Sequence, residues 1–262
     1  MKSTFPKRVL FLSLAILYFV PMGSKAKENM RPLVSMESQL ENRQDTVTQL
    51  TNSRAIGYMD TYEQLPVLEF KDSDQSEFES APAPIKSKVT SVDSSSSYYY
   101  FTTATEVIKM KMYNSEAGVL LTDFYANTHW HVFTSHSYSD GFSFGWLNIV
   151  DSLTSLNYGI VSITDWSVET PCFSPDGKYL VYFDNYTYDN KDCFIGVLKV
   201  NEKERFHPKK YLTEFRSYRS YHWAIEELRW LNANTIVIKG YEQIYRNKKW
   251  IKEFTYIKTR IL

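Results

Sequence analysis

His129-Trp130-His131 is the segment with the densest potential for metal chemistry. On an extended strand, residues two apart point to one face, so both imidazoles could close on one ion. His136 lies five residues on, and Asp123 precedes the group. The plainer reading is two partly exposed polar positions flanking a buried Trp130. Gly141-Phe-Ser-Phe-Gly145 has the spacing of a nucleophile elbow with Ser143 as nucleophile. That turn needs a buried strand ending at the first glycine and a helix opening after the serine. Here Ser137-Tyr-Ser-Asp140 is polar and turn-like, and the chain that follows is β-rich. Asp165 or Asp184, then His207 or His222, follow in the order of a triad, but the order alone is permissive. The plainer reading is a glycine-flanked loop. A serine or metal-dependent hydrolase is therefore kept as an alternative only. No catalytic residue, metal or cofactor is assigned. Asp189-Asn-Lys-Asp192 lacks calcium-loop spacing, and no phosphate-cradling glycine loop is present.

The elements that would position such residues begin after an export signal. Lys2, Lys7 and Arg8 precede the apolar run Val9 to Met22, and Gly23-Ser24-Lys25-Ala26 supplies small residues at a cleavage site. The run would rise ~21 Å as a helix, short of the roughly 30 Å hydrocarbon core, and Pro21 stops it early. Cleavage near Ala26 is expected, with an exported periplasmic or extracellular product and no stable membrane span. Removing Lys2, Lys7, Arg8 and Lys25 from 30 basic side chains leaves 26 against 30 acidic ones, a net charge of −4. Residues 201–262 hold 14 basic and 7 acidic side chains, whereas the preceding stretches are acidic. The bland account is complementation within one fold. The sharper one is a basic face for a polyanion such as a surface glycan or lipid headgroup. Nucleic acid is not expected as a partner outside the cell, and no nucleic-acid motif is present.

Three regions follow from composition: a signal peptide over 1–26, a polar and largely disordered spacer over 27–95, and a β-rich domain over 96–262. The spacer is rich in Ser, Gln, Glu and Asp, with Ser80-Ala-Pro-Ala-Pro84 and Ser94 to Ser97 as linker chemistry. A short helix over Met36 to Leu50 and an edge strand at Leu65 to Phe70 are its only structural signals. Beyond it, 20 Tyr and 16 Phe in the chain favour half-buried pleated surfaces. Strands are read at Val107–Tyr113, Gly118–Tyr125, Trp130–Thr134, Tyr158–Thr164, Tyr179–Phe183, Cys193–Val200, Thr235–Lys239 and Phe254–Ile261. Trp146 to Leu156 fits neither helical nor strand spacing cleanly.

Pro171-Cys-Phe-Ser-Pro-Asp-Gly-Lys-Tyr-Leu-Val-Tyr182 is the most informative motif. Proline sets φ, Asp176 can bond back to the backbone, and Gly177 can take a left-handed position. A degraded copy, Glu227-Leu-Arg-Trp-Leu-Asn-Ala-Asn-Thr-Ile-Val-Ile238, puts Trp230 at the Phe173 position and Asn234 at that of Gly177. The segment resembles the "FSPDG" repeat of TolB-type β-propellers over about residues 165–262. The resemblance implies that Phe173, Pro175, Asp176, Gly177, Trp230 and Asn234 are structural, with the aromatic packed between blades. At ~40–45 residues per blade, 96–262 holds at most four. The expected fold is therefore all-β, a small or incomplete propeller-like meander.

Export makes Cys172 and Cys193 candidates for a disulfide. A hairpin about Pro175-Asp176-Gly177 puts Cys172 opposite roughly Leu180, with Cys193 two strands away and about three residues along, or roughly 14 Å. A disulfide needs Cα atoms within about 7 Å, so unpaired thiols are expected. The function these features suggest is a non-catalytic binding or scaffold protein of the bacterial envelope, with a protein partner. A glycan-binding module using Tyr98-Tyr-Tyr-Phe101 is the alternative.

Overall fold

A computed structural model describes residues 53–84, 93–94, 96–114, 117–125, 128–139, 142–163, 168–169, 171–186 and 191–262. The signal segment, the Met36 to Leu50 helix and Asp165 lie outside the described residues. The described chain is mostly strand, in four sheets. Sheet A is the meander β6 (Ala117–Tyr125), β7 (Trp130–Ser139), β8 (Phe142–Asp151) and β9 (Asn157–Ile160), extended by β1 (Ser53–Ile56) in parallel to β9. Sheet B is β10 (Cys172–Phe173), β11 (Tyr179–Asn185), β12 (Cys193–Val200) and β13 (Leu212–Ser220). Sheet C is β14 (Ala224–Asn232), β15 (Thr235–Arg246) and β16 (Lys249–Arg260), closed by β2 (Phe70–Asp72). The small sheet D is β3 (Asp93–Ser94), β4 (Tyr98–Thr102) and β5 (Val107–Lys111).

The side-chain parity of β11 and β12 sets how the sheets stack. Leu180, Tyr182, Phe194 and Leu198 join Trp130, Leu147 and Tyr158 in a core between sheets A and B. Their neighbours Tyr179, Val181, Ile195 and Val197 join Leu228, Trp230 and Ile236 in a core between sheets B and C. Sheet B is therefore apolar on both faces, and its strands read as continuous apolar runs because each residue has a dry face to enter. Each fully buried Leu or Ile there contributes roughly 1.5–3 kcal/mol. The opposite face of sheet A packs Val119, Phe133 and Val150 against Phe101, Ile108 and Met110 of sheet D. On the far side of sheet C, Val237 is covered by Phe78 of the short helix α2 (Gln75–Ser80).

Two expectations are corrected here. Residues 53–84 are part of the β domain and not of a spacer. Ile56, Tyr62 of helix α1 (Met59–Tyr62), Leu68, Phe78 and Ala81 are all buried. Tyr62 and Phe78 are lone apolar anchors in polar sequence, inserted into cores that later strands build, so average composition conceals them. The edge strand read at Leu65 to Phe70 forms only at its end: Val67 makes an isolated bridge to Ser217, Leu68 N–H donates to the Ser217 carbonyl at 2.9 Å, and strand β2 itself runs from Phe70 to Asp72.

The second correction concerns the repeated hairpin. At the first copy Gly177 has φ of 70°, its N–H bonds the Ser174 carbonyl at 2.8 Å, and Asp176 Oδ1 accepts from the Ser174 hydroxyl at 2.7 Å. Ser174 closes the loop against Tyr179, so Lys178 belongs to the turn and Cys172 faces Val181, one residue from the expected Leu180. In the second copy Asn232 pairs Thr235, leaving only Ala233 and Asn234 in the loop. That shorter turn is made without a left-handed residue, since neither Ala233 nor Asn234 adopts a positive φ. Asn232 Oδ1 instead accepts from the Asn234 N–H at 2.9 Å. Val181 pairs Val197 while Cys193 pairs Asn185, so the cysteines lie two strands and four residues apart, roughly 16 Å. The two form no disulfide.

Candidate functional site

The histidines read as metal candidates are separated by their environments. His129 is exposed in the turn before β7, with φ of 59°. His131 is buried, its ring between Phe124 at 4.6 Å and Phe101 at 5.2 Å. Burial pulls its pKa down to about 4, and Nδ1 has no hydrogen-bond partner among the described residues. His136 bonds the Thr134 hydroxyl at 2.9 Å. No cluster of three metal-ligating side chains occurs among the described residues. Ser143 sits within β8, its backbone paired to Tyr138 of β7, so the expected glycine-flanked loop is instead part of a hairpin. An elbow requires a strand-to-helix turn, whereas the chain runs on past Ser143 as strand to Asp151. Of the proposed triad partners, Asp184 accepts from the Ser162 hydroxyl at 2.7 Å, and His207 lies 3.2 Å from Glu204.

Of the aromatic cluster offered for glycan binding, only Phe101 lies wholly in the core. Phe101 is fully buried in the core shared by sheets A and D, and Tyr98, Tyr99 and Tyr100 are half-buried along β4. Lys109 stands over the Tyr98 ring at 4.1 Å.

One buried charge cluster has the composition of an active site. Asp151 is fully buried and accepts from Arg205 Nε at 2.9 Å and from the Leu153 N–H at 2.9 Å. Arg205 also bonds Glu202 and the Thr128 carbonyl and lies over Tyr211 of helix α3 (Pro208–Tyr211). The cluster ties the sheet A turns to the β12–β13 connection.

Among the described residues, the distal half of the β15–β16 ribbon groups several exposed large side chains on one surface. The two strands pair without interruption from Arg246–Lys249 to Thr235–Arg260, whereas β14 ends opposite Tyr241 and β2 opposite Ile257. The ribbon therefore projects past its sheet. Register places Tyr241 opposite Phe254 and Tyr245 opposite Trp250 on one face, with Gln243 and Lys252 between. Trp250 is 67 % exposed, Tyr245 62 % and Phe254 45 %. The Tyr245 and Trp250 rings are 5.3 Å apart, Lys252 Nζ lies 3.9 Å from the Tyr241 ring, and Lys239 Nζ lies 4.1 Å from that of Phe254. Lys252 also pairs with Glu226. The other face carries Ile244 opposite Ile251 and Arg246 bonded to Glu253 at 3.3 Å. The turn is Asn247-Lys248, both left-handed at φ of 54° and 61°.

Sequence reading stopped β15 at Lys239 and resumed at Phe254, missing the ribbon. The signal was present as alternation on both sides of Asn247-Lys248, but Asn-Lys is a weak hairpin mark beside Asn-Gly. With this geometry in view, comparison finds no protein-family model, curated protein or solved structure that matches the chain.

Proposed function

We propose that the chain is an exported, non-catalytic binding protein whose β domain holds the β15–β16 ribbon out to a protein partner. The carrying observation is the exposed pairing of Tyr245 with Trp250, flanked by Phe254 and by basic side chains. Soluble domains seldom leave contiguous large aromatics in water, and Tyr, Trp and Arg are the residues that anchor protein contacts. The three-part pattern of residues 1–26 supports export, and the FSPDG-like hairpin with its inter-sheet aromatic supports the TolB-type resemblance. No helix among the described residues is long and apolar enough to cross a membrane.

A glycan is the second reading, favoured by the same face: Gln243 and Lys252 lie between two aromatic pairs on one plane. The test is capture from envelope extract by the chain and by its Tyr245→Ser/Trp250→Ser variant. A protein retained by the first and lost by the second supports the proposal. Equal capture by both removes the ribbon from it, and displacement by soluble glycan transfers the face to the second reading.

A further inference from the structure

The backbone of β16 has two edges, and hydrogen bonds at its C-terminal end fix which residues face which. The Ile261 N–H donates to the Asn234 carbonyl at 2.8 Å on the β15 side. The Ser73 N–H donates to the Tyr256 carbonyl at 3.0 Å on the β2 side. In an antiparallel ladder this orientation alternates residue by residue, and the β15–β16 register runs without a shift. Odd-numbered residues of β16 therefore turn their backbone groups toward β15, and even-numbered ones turn them outward. β2 uses the outward groups only as far as its pairing of Ile257 to Thr259, and Ser73 adds Tyr256. Beyond that point the N–H and C=O groups of Trp250, Lys252 and Phe254 face away from the sheet.

We infer that this edge, Trp250 to Phe254, accepts an extended acidic segment of a partner protein as an added strand. The inference rests on the binding-protein reading above and names its contact. The same edge already takes β2, so an incoming segment would extend an existing line of pairing, with main-chain hydrogen bonds giving affinity and side chains giving selectivity. Charge decides the occupant. Residues 246–254 carry Arg246, Lys248, Lys249 and Lys252 against the single acid Glu253. A second copy pairing antiparallel about Lys252 would set Lys252 directly opposite Lys252, and like charges in that position are destabilising. An incoming acid opposite Lys252 reverses that sign, sharing the ammonium with Glu226. The positions two residues to either side then face Trp250 and Phe254 and call for apolar side chains. The recognised pattern is apolar-x-acid-x-apolar.

The probe is a fluorescein-labelled peptide Thr-Val-Thr-Glu-Thr-Val-Thr, titrated against the whole chain by anisotropy. Two control peptides carry Lys for Glu, or an N-methyl on the Glu amide. The Glu peptide should bind and slow amide exchange at Trp250, Lys252 and Phe254, and both controls should bind about tenfold more weakly or worse. Lys252→Pro removes an outward N–H that β15 does not use, so the ribbon can persist, as prolines do on edge strands. Circular dichroism checks the fold, and binding should fall by a similar factor. Lys252→Glu should invert the preference between the Glu and Lys peptides. Absence of binding by the Glu peptide, equal binding of the N-methyl peptide, or indifference to Lys252→Pro overturns the inference. A concentration-dependent dimer abolished by Lys252→Pro would assign the edge to a second copy and also overturn it. Capture of an envelope protein that survives Lys252→Pro but not Tyr245→Ser/Trp250→Ser would overturn strand addition alone and leave the binding reading standing.

Discussion

The indole Nε1 of Trp230 donates to the backbone carbonyl of Cys172 at 3.1 Å, so the aromatic of the second hairpin is bonded to the edge strand β10 of the sheet before it. Phe173, in the equivalent place of the first hairpin, packs on Trp130 at 5.1 Å and Tyr125 at 4.6 Å of the sheet before it. Tyr125 adds a hydroxyl bond to the Pro171 carbonyl. The hairpin repeat is thus a device that keys each sheet to its predecessor. Trp230→Phe should keep most of the packing and lose the bond, at a cost of about 1–3 kcal/mol. Trp230→Ala should cost roughly 3–5 kcal/mol. Urea unfolding of both variants gives the comparison, and an unchanged stability in Trp230→Phe would show that the bond contributes nothing.

A second relationship is steric. Gly196 lies opposite Tyr182 in the β11–β12 ladder, and a Cβ there would sit 2.5 Å from Tyr182 Cε1. The ring is held in turn by its hydroxyl, which donates to the Tyr62 hydroxyl at 3.2 Å, and by Gly57, whose own Cβ would meet Tyr182 Oη at 2.7 Å. With no room to retreat, Gly196→Ala should destabilise by about 1–3 kcal/mol through overpacking. Tyr182→Phe/Gly196→Ala should recover little, because the clash is with the ring itself. Recovery to the single-mutant Tyr182→Phe value in thermal unfolding would contradict this geometry.

These two cases mark what was legible in the sequence. The turn Pro175-Asp176-Gly177 and the strand Cys193–Val200 were readable because their signals are local: a left-handed glycine, and an apolar run bounded by polar loops. The equivalence of Trp230 with Phe173 was readable because it rests on spacing. What was not readable depends on residues far apart in the chain. Tyr62 owes its burial to Tyr182 and Phe194, and β2 exists because β16 offers it an edge. Strand β13, Leu-Thr-Glu-Phe-Arg-Ser-Tyr-Arg-Ser, is too polar to announce itself and forms because β12 pairs along its full length. The ribbon escaped for the same reason in reverse, since it is a strand pair that continues past the core that normally marks one.

His131 carries a pH prediction. Its folded-state pKa is about 4 through burial, below the ordinary value of 6.5. Between those values the unfolded chain binds a proton that the folded chain refuses. Stability should therefore be full above about pH 6.5, fall as pH drops through the window, and flatten near pH 4, a loss of up to about 3 kcal/mol. His131→Leu keeps an apolar ring-filling side chain between Phe101 and Phe124 and removes the proton site. Its denaturation midpoint should vary less between pH 7 and 4.5 than that of the unaltered chain. An identical slope in both would place the acid sensitivity elsewhere.

Asp151 predicts a large effect from a single charge. It is fully buried, and Arg205 supplies its only counter-charge among the described contacts. Arg205→Met keeps a flexible stem against Tyr211 and leaves the carboxylate uncompensated, which should cost roughly 3–5 kcal/mol. Replacing both, as Asp151→Asn/Arg205→Met, should cost less than the single change, because no buried charge remains. A double-mutant cycle by urea unfolding measures the difference.

The tip of the ribbon sets stability against contact. Lys248 holds a left-handed φ of 61°, a conformation that costs a residue with a Cβ roughly 1–2 kcal/mol relative to glycine. Lys248→Gly should therefore raise stability by about 1 kcal/mol, less what the freer unfolded chain gives back. The same change removes one of four cations from residues 246–254. If the ribbon binds an acidic segment, Lys248→Gly should bind it more weakly while unfolding at higher denaturant. Lys248→Asn tolerates the turn with a shorter polar side chain and should show the same pair of effects at smaller amplitude in stability. A variant that gained stability and kept full binding at low salt would show that the strained lysine does not serve the contact.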